Sequence, residues 1–201
     1  MAKAQGLRNI FITSGYINEA PQRELAEVLD AANVDLKFFR DESYRRISRV
    51  KLQPILDAIR RYRELGVWLE VTTLVIPGIN DSDAELRQIA EFLCALSPEI
   101  PWHISRFYPA HEMRDLPVTS VSTLRRAEQI GRAAGLRYVY AGNVPGEGGE
   151  STYCPGCGAL LIERYGFHIL NNRVREGRCP DCGCTIAGVE MNGDRAGLTG
   201  S

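Results

Sequence analysis

The run VDLKFF (Val34 to Phe39) decides how the first two thirds of this chain are read. As an extended strand it points Val34, Leu36 and Phe38 one way, and Asp35 and Lys37 the other. A parallel strand covered on both faces is normally apolar throughout. A carboxylate and an ammonium sharing one face therefore point to a polar interior. Two further runs behave alike: WLEVTTLVI (Trp68 to Ile76) puts Glu70 and Thr72 on one face, and WHISRF (Trp102 to Phe107) does so with His103 and Ser105. Any one of them is as readily an edge strand with a wet face and a surface ion pair. All three together favour a surface that faces a ligand, as in a half-barrel.

Around these runs, residues 8 to 140 alternate β-rich and helix-patterned segments. NIFIT (Asn9 to Thr13) and RYVYA (Arg137 to Ala141) complete five expected strands. Helices are expected over PQRELAEVLDAA from Pro21, LQPILDAIRRYRELG ending at Gly66, SDAELRQIAEFLCAL from Ser82 and STLRRAEQIGRAAG ending at Gly135. Pro21 suits a first helical turn, Ser82 with Glu85 forms a capping box, and Gly66 and Gly135 stand where a left-handed C-cap belongs. A strand and a helix every ~30 residues is the spacing of βαβ units, hence an α/β fold with a parallel sheet and right-handed crossovers. Periodicity leaves an open doubly wound sheet and a partial (βα) barrel both open. The loops TSGY (Thr13 to Tyr16) and VIPGIND (Val75 to Asp81) follow strands, where ligands of α/β proteins bind. The basic run YRRISRVK (Tyr44 to Lys51) reads as a solvated helix face.

The 201 residues suffice for one ordinary domain and a small module. Lys plus Arg (24) nearly balance Asp plus Glu (25), a net charge of −1, so the field that non-specific nucleic-acid binding needs is missing. The first residues hold no signal-like apolar run, and no stretch is long enough to span a membrane. A cytoplasmic protein is expected, with no membrane partner. Residues 1–141 are read as the α/β part and 142–190 as a cysteine module, entered through the glycine-rich GNVPGEGGES. Residues 191–201 are read as a disordered tail.

Four of the six cysteines form two CPxCG knuckles, Cys154 with Cys157 and Cys179 with Cys182. In each, Pro fixes the first turn and Gly allows a left-handed bend that brings backbone N–H groups to sulfur. Residues 158–178, twenty-one in all, leave room for a hairpin, supplied by LLIERYGFHILNNRV with β-rich runs around Gly166 and Asn171-Asn172. Two knuckles joined by a hairpin make a rubredoxin-like zinc ribbon, a closed structural site of four cysteines for zinc or a single iron. The alternative is two disulfides or metal-free thiols. Cys184 reads as a bystander, Cys94 as a small core residue, and His168 as a packed or exposed ring. His111 is as readily a surface residue as a site residue.

Taken in order, TSGY, VDLKFF, TLVIPGIND, WHISRFYPAHEM, YVYAGNVPG and the two knuckles resemble the radical SAM protein of the AmmeMemoRadiSam group. That group is a relative of the pyruvate formate-lyase activating enzymes. The resemblance spans about residues 2 to 190. It implies a partial barrel that binds a [4Fe–4S] cluster and S-adenosylmethionine, whose reductive cleavage yields a radical that abstracts hydrogen. By similarity, Ser14 and Gly15 meet the nucleoside, and Asp35 and Lys37 the methionine and ribose portion. His103 would lie near the ribose or adenine, and the backbone of Val75 to Gly78, with Pro77, near the adenine. The chain departs from the family in three places. It has no C-x-x-x-C-x-x-C, it lacks the glycine-rich G-G-E segment of the family's second strand, and Ser14 replaces the Asn of T-N-G-Y. AKAQGLRNIFIT reads as the end of a helix entering the family's third strand, so the expectation is a barrel truncated at its N-terminus.

Two functions compete. One is the S-adenosylmethionine-binding portion of a radical enzyme, inactive until a missing N-terminal segment or partner chain supplies the cluster ligands, with a protein among its candidate substrates. The other is a non-enzymatic zinc-ribbon protein that binds a protein or nucleic-acid partner, of which nucleic acid is the less expected.

Overall fold

Five parallel strands lie side by side in the order in which they occur along the chain: β1 (Ile10–Thr13), β2 (Ala31–Asp35), β3 (Trp68–Val75), β4 (Trp102–Arg106) and β5 (Val139–Gly142). They belong to a computed structural model that describes residues 2–144, 148–166 and 168–191. The chain divides after Val144 into two units. Residues 145–147 of the expected glycine-rich entry, and the expected tail from residue 192 on, lie outside the described residues.

Strands in sequence order, joined by right-handed crossovers, bring every helix to the same face of a sheet. A doubly wound sheet would instead reverse at a switch point. Of the two architectures left open by periodicity, the strand order is the singly wound one rather than the doubly wound one. The helices are α1 (Glu19–Ala26), α2 (Asp41–Ser43), α3 (Leu52–Glu64), α4 (Asp83–Leu96) and α5 (Val121–Ala133). Ile55 and Ile59 of α3, Leu86 and Leu93 of α4 and Leu124 of α5 join Val34, Val71, Trp102 and Ile104 in one core. Trp102 is fully buried, and its indole N–H donates to Thr73 Oγ1 at 2.9 Å, which in turn donates to the Leu36 carbonyl at 2.8 Å. The buried polar atoms of these two side chains are thereby satisfied.

β3 and β4 each end one residue before the expected position. β5 is shifted, and β2 departs most. It starts at Ala31, within the segment expected to close the first helix, and ends at Asp35. Ala-Ala-Asn has weak strand propensity, but the ladders to β1 and β3 recruit it. Leu36 to Phe39 leave the sheet yet keep the alternation, Leu36 and Phe38 buried and Lys37 half-buried. The cap at Ser82 is half of the expected box. Its side chain accepts the Glu85 N–H at 3.3 Å, while the Glu85 carboxylate turns elsewhere. Gly66 and Gly135 have φ of 76° and 104°, as C-caps require. The basic run forms a π-turn, Tyr44–Ser48, with Tyr44 buried and Arg45 and Arg46 exposed. Where a helix end was expected before β1, a 3-10 turn at Lys3–Gln5 closes on Gly6.

The second unit is a three-stranded antiparallel sheet of β6 (Thr152–Tyr153), β7 (Leu160–Tyr165) and β8 (His168–Asn172). Gly166 turns between β7 and β8 with φ of 57°. Asn171 and Asn172, in an expected β-rich run, finish β8 in register with β7. No helix among the described residues is long and apolar enough to cross a membrane.

Candidate functional site

The face of the parallel sheet away from the core collects the polar residues. Register places Asp35, Thr72, His103 and Tyr140 in one row across β2 to β5, with Ile12, Asn33 and Glu70 in the row below. Alternate residues in these strands, such as Val34, Val71, Thr73 and Trp102, are buried, whereas Asn33, Asp35, Glu70, Thr72, His103 and Ser105 are half-buried. The groups bond to one another. Lys37 Nζ donates to Asp35 Oδ2 at 2.8 Å, and Thr72 Oγ1 donates to Asn33 Oδ1 at 2.8 Å. Glu70 accepts from the Trp68 indole N–H at 3.1 Å and pairs with His103 Nε2 at 2.7 Å. The His103 ring stacks on Tyr140 with centroids 5.2 Å apart. Asn143 Nδ2 donates to Ser105 Oγ at 2.9 Å.

Lys37 stands beyond the end of β2, and its backbone is fixed by side chains from elsewhere. The Tyr44 hydroxyl accepts its N–H at 2.9 Å, and Asn80 Nδ2 donates to its carbonyl at 2.6 Å. Burial pushes the Tyr44 hydroxyl up to about 12, and Asp35 adds to this against the Lys37 and Phe38 amides. One step on, buried Glu85 accepts the Phe39 N–H and Arg40 Nε, each at 2.8 Å, and Arg40 also donates to the Ile79 carbonyl.

The other expected site residues cluster at the ends of the strands. Ser14 is exposed immediately after β1, and Gly15 is buried behind it with φ of 73°. A Cβ on Gly15 would come within 2.7 Å of Val34 Cγ1, so only glycine fits this turn. Pro77 is half-buried and Gly78 exposed, the Gly78 amide donating to Asp81 Oδ1 at 2.9 Å. Seven expected contact residues thus lie on the polar face or in the loops following β1, β2 and β3. Sequence reading did not single out Asn80, Tyr44 or Tyr140. For Asn80 the signal available was an Asn inside a Pro-Gly loop, where its amide can replace backbone partners.

In the second unit the sulfur atoms of Cys154, Cys157, Cys179 and Cys182 all lie within 4.8 Å of one another. Cys154 and Cys182 approach to 3.6 Å, and Cys157 and Cys179 to 3.7 Å. Metal–thiolate bonds of about 2.3 Å in a tetrahedron set sulfurs about 3.8 Å apart, so the tetrad fits one ion. A cubane would hold each thiolate on a separate iron and needs them farther apart. The knuckles share one backbone pattern. Cys154 N–H reaches the Ala159 carbonyl and Gly158 N–H the Cys154 carbonyl, at 2.8 and 2.9 Å. Cys179 and Gly183 repeat this with Cys184 and Cys179, both at 2.9 Å. Burial acts to raise the Cys154 thiol, but the Cys157 and Gly156 amides outweigh it and bring it down to about 6. The Cys184 amide favours the Cys182 thiolate, yet the neighbouring Cys157 and Cys154 sulfurs prevail and push it up to about 12. Four thiolates this close ionise together when a cation sits among them. Cys184 is outside the tetrad and packs against Gly156.

The donors on the sheet face, a cation, carboxylates, hydroxyls and a stacked imidazole, suit a zwitterionic nucleoside such as S-adenosylmethionine. They do not suit an iron–sulfur cluster, because Cys94 is the one cysteine before Cys154 and it lies on α4.

Residues 1–93 match the family model described as the radical SAM superfamily. The chain is 43% identical over 186 residues to an uncharacterized protein of Methanocaldococcus jannaschii, covering 91% of this chain and 55% of that protein. Over 107 residues it is 28% identical to the isethionate sulfite-lyase activating enzyme of Oleidesulfovibrio alaskensis, covering 51% of this chain and 35% of the enzyme. The chain therefore spans about half of the first relative and about a third of the second. A domain of pyruvate-formate lyase-activating enzyme from Bacteroides vulgatus superposes with a TM-score of 0.60 at 22% identity, over 70% of this chain and 84% of that one. A radical SAM methyltransferase from Sphaerobacter thermophilus gives 0.56 at 24% identity, over 78% and 46%. Both structural likenesses, at under 25% identity, speak to the fold alone.

Proposed function

We propose that the α/β unit is the S-adenosylmethionine-binding portion of a radical SAM enzyme of the activating-enzyme kind, in the AmmeMemoRadiSam group. The observation that carries this is the Asp35–Lys37 pair, two opposite charges 2.8 Å apart on a sheet face that also bears His103 and Glu70. Lys37 meets the methionyl carboxylate and Asp35 the amino group or ribose. His103, oriented by Glu70, lies toward the nucleoside, as do Ser14, Gly15 and the Pro77–Gly78 backbone. Bound there, S-adenosylmethionine would supply the reactive 5′-carbon of radical chemistry. The cluster ligands are not among this chain's residues, so the chain alone is inactive and a further segment or partner chain brings them. Ile10 and Ile12 of β1, 67% and 78% exposed, are where such a segment packs. The isolated chain is then expected to self-associate, and a monodisperse monomer in light scattering would count against this.

The tetrad of cysteines is proposed to be a structural zinc ribbon, with a single iron as the other metal that thiolates accept. A cytoplasmic setting fits thiols kept for metal. A second reading, a non-enzymatic ribbon that docks a protein, draws on β8, where Ile169 and Leu170 are 60% and 62% exposed. The near balance of charge speaks against nucleic acid.

Titration calorimetry with S-adenosylmethionine tests the first reading. Micromolar binding by the wild type, lost in Lys37→Met and Asp35→Asn, is expected. No binding by the folded wild type moves the ribbon reading to the front.

A further inference from the structure

The fully buried side chain of Asn80 joins three main-chain groups, one in β3, one in the loop that follows it and one in the loop after β2. Its Oδ1 accepts the Ile76 N–H at 2.6 Å, and its Nδ2 donates to the carbonyls of Lys37 at 2.6 Å and Leu74 at 2.9 Å. Lys37 needs such support because β2 has already ended. The Leu36 N–H still reaches the Thr72 carbonyl at 2.9 Å, but both main-chain groups of Lys37 are held by side chains, its carbonyl by Asn80 and its N–H by Tyr44. These two side chains come from different loops and fix the point from which the Lys37 side chain leaves for the polar face.

We propose that Asn80 is a positioning residue that sets Lys37 for the charged amino-acid end of S-adenosylmethionine; this rests on the S-adenosylmethionine reading above. A carboxamide is required because the site presents one N–H and two carbonyls. A carboxylate would keep the first bond and oppose the other two. An ordinary loop tie would lower stability and weaken every ligand alike. A residue that sets Lys37 discriminates between ligands with and without the amino-acid end.

The test compares the full chain with Asn80→Asp, and with Asn80→Ser should the first variant not fold. Binding of S-adenosylmethionine and of 5′-methylthioadenosine, the same nucleoside without the amino-acid end, is measured alongside amide hydrogen exchange of residues 36–40. We expect S-adenosylmethionine affinity to fall about tenfold, on the order of the loss of the one bond that holds the Lys37 carbonyl. 5′-Methylthioadenosine should change by less than about twofold, and the Lys37 amide should exchange faster. Equal weakening of both ligands, or unchanged exchange, overturns the proposal. If the wild type binds neither ligand, the S-adenosylmethionine reading fails. Exchange at Lys37 then decides by itself whether Asn80 holds that backbone, and an unchanged rate overturns that too.

Discussion

The carboxylate of Glu85, on the first turn of α4, accepts the main-chain N–H of Phe39 at 2.8 Å, although 46 residues separate the two. The same buried carboxylate pairs with Arg40, whose own side chain is half exposed. Glu85→Ala would leave the Phe39 N–H and the guanidinium without this acceptor. The expected cost is about 3 kcal/mol in urea unfolding, against about 1 kcal/mol or less for Arg40→Ala. Equal costs for the two variants would show that the ion pair, not the Phe39 bond, is what matters.

Gly15→Ala should destabilise the α/β unit by about 2–4 kcal/mol. It combines a left-handed backbone, φ of 73°, with a Cβ only 2.7 Å from Val34 Cγ1 and 3.2 Å from Ile55 Cγ2. Thermal unfolding checks this; a midpoint unchanged within a degree would mean the turn relaxes freely.

Tyr44 links stability to alkaline pH. Its hydroxyl titrates near 12 in the fold against 10.0 unperturbed, chiefly through burial. The neutral phenol is the form the fold favours. Its contribution is therefore complete below pH about 10 and is lost as pH rises through about 12. The stability difference between wild type and Tyr44→Phe should be flat from pH 7 to about 9 and then shrink. Tyr62, also raised by burial, is common to both proteins and cancels. A difference that stays flat to pH 12 would refute the assignment.

Cys154→Ser or Cys179→Ser should abolish stoichiometric metal binding and unfold the second unit, leaving the α/β unit intact. Plasma mass spectrometry gives the metal content, and hydrogen exchange resolved by segment gives the folding of each unit. Full metal content in either variant would remove the tetrad from consideration. A strong chelator should reproduce the variants' exchange pattern in the wild type.

How much of this was legible beforehand varied with the range of the interaction. The alternation in WLEVTTLVI gave β3 nearly to the residue, and the polar stripes through Glu70, Thr72, His103 and Ser105 appear on one face because register follows from the two-residue period. The knuckles were readable for a similar reason, their geometry being closed within six residues. β2 was misplaced because Ala31 and Ala32 favour helix locally, and only the neighbouring ladders make them a strand. Glu85 looked like the partner of Ser82 three residues away, whereas its carboxylate serves Phe39. Strand order, which decides between the two α/β architectures, is a long-range property with no local signature.

That strand order also bears on how the α/β unit is made. Each ladder joins segments separated by as little as 21 residues, Ile10 with Ala31, and at most 37, Ala31 with Trp68. No strand must wait for a distant one, so the sheet can grow by docking each newly synthesised strand on its predecessor, a short-range route for an all-parallel sheet. A strand–helix pair can be added to or taken from either edge without rethreading the rest.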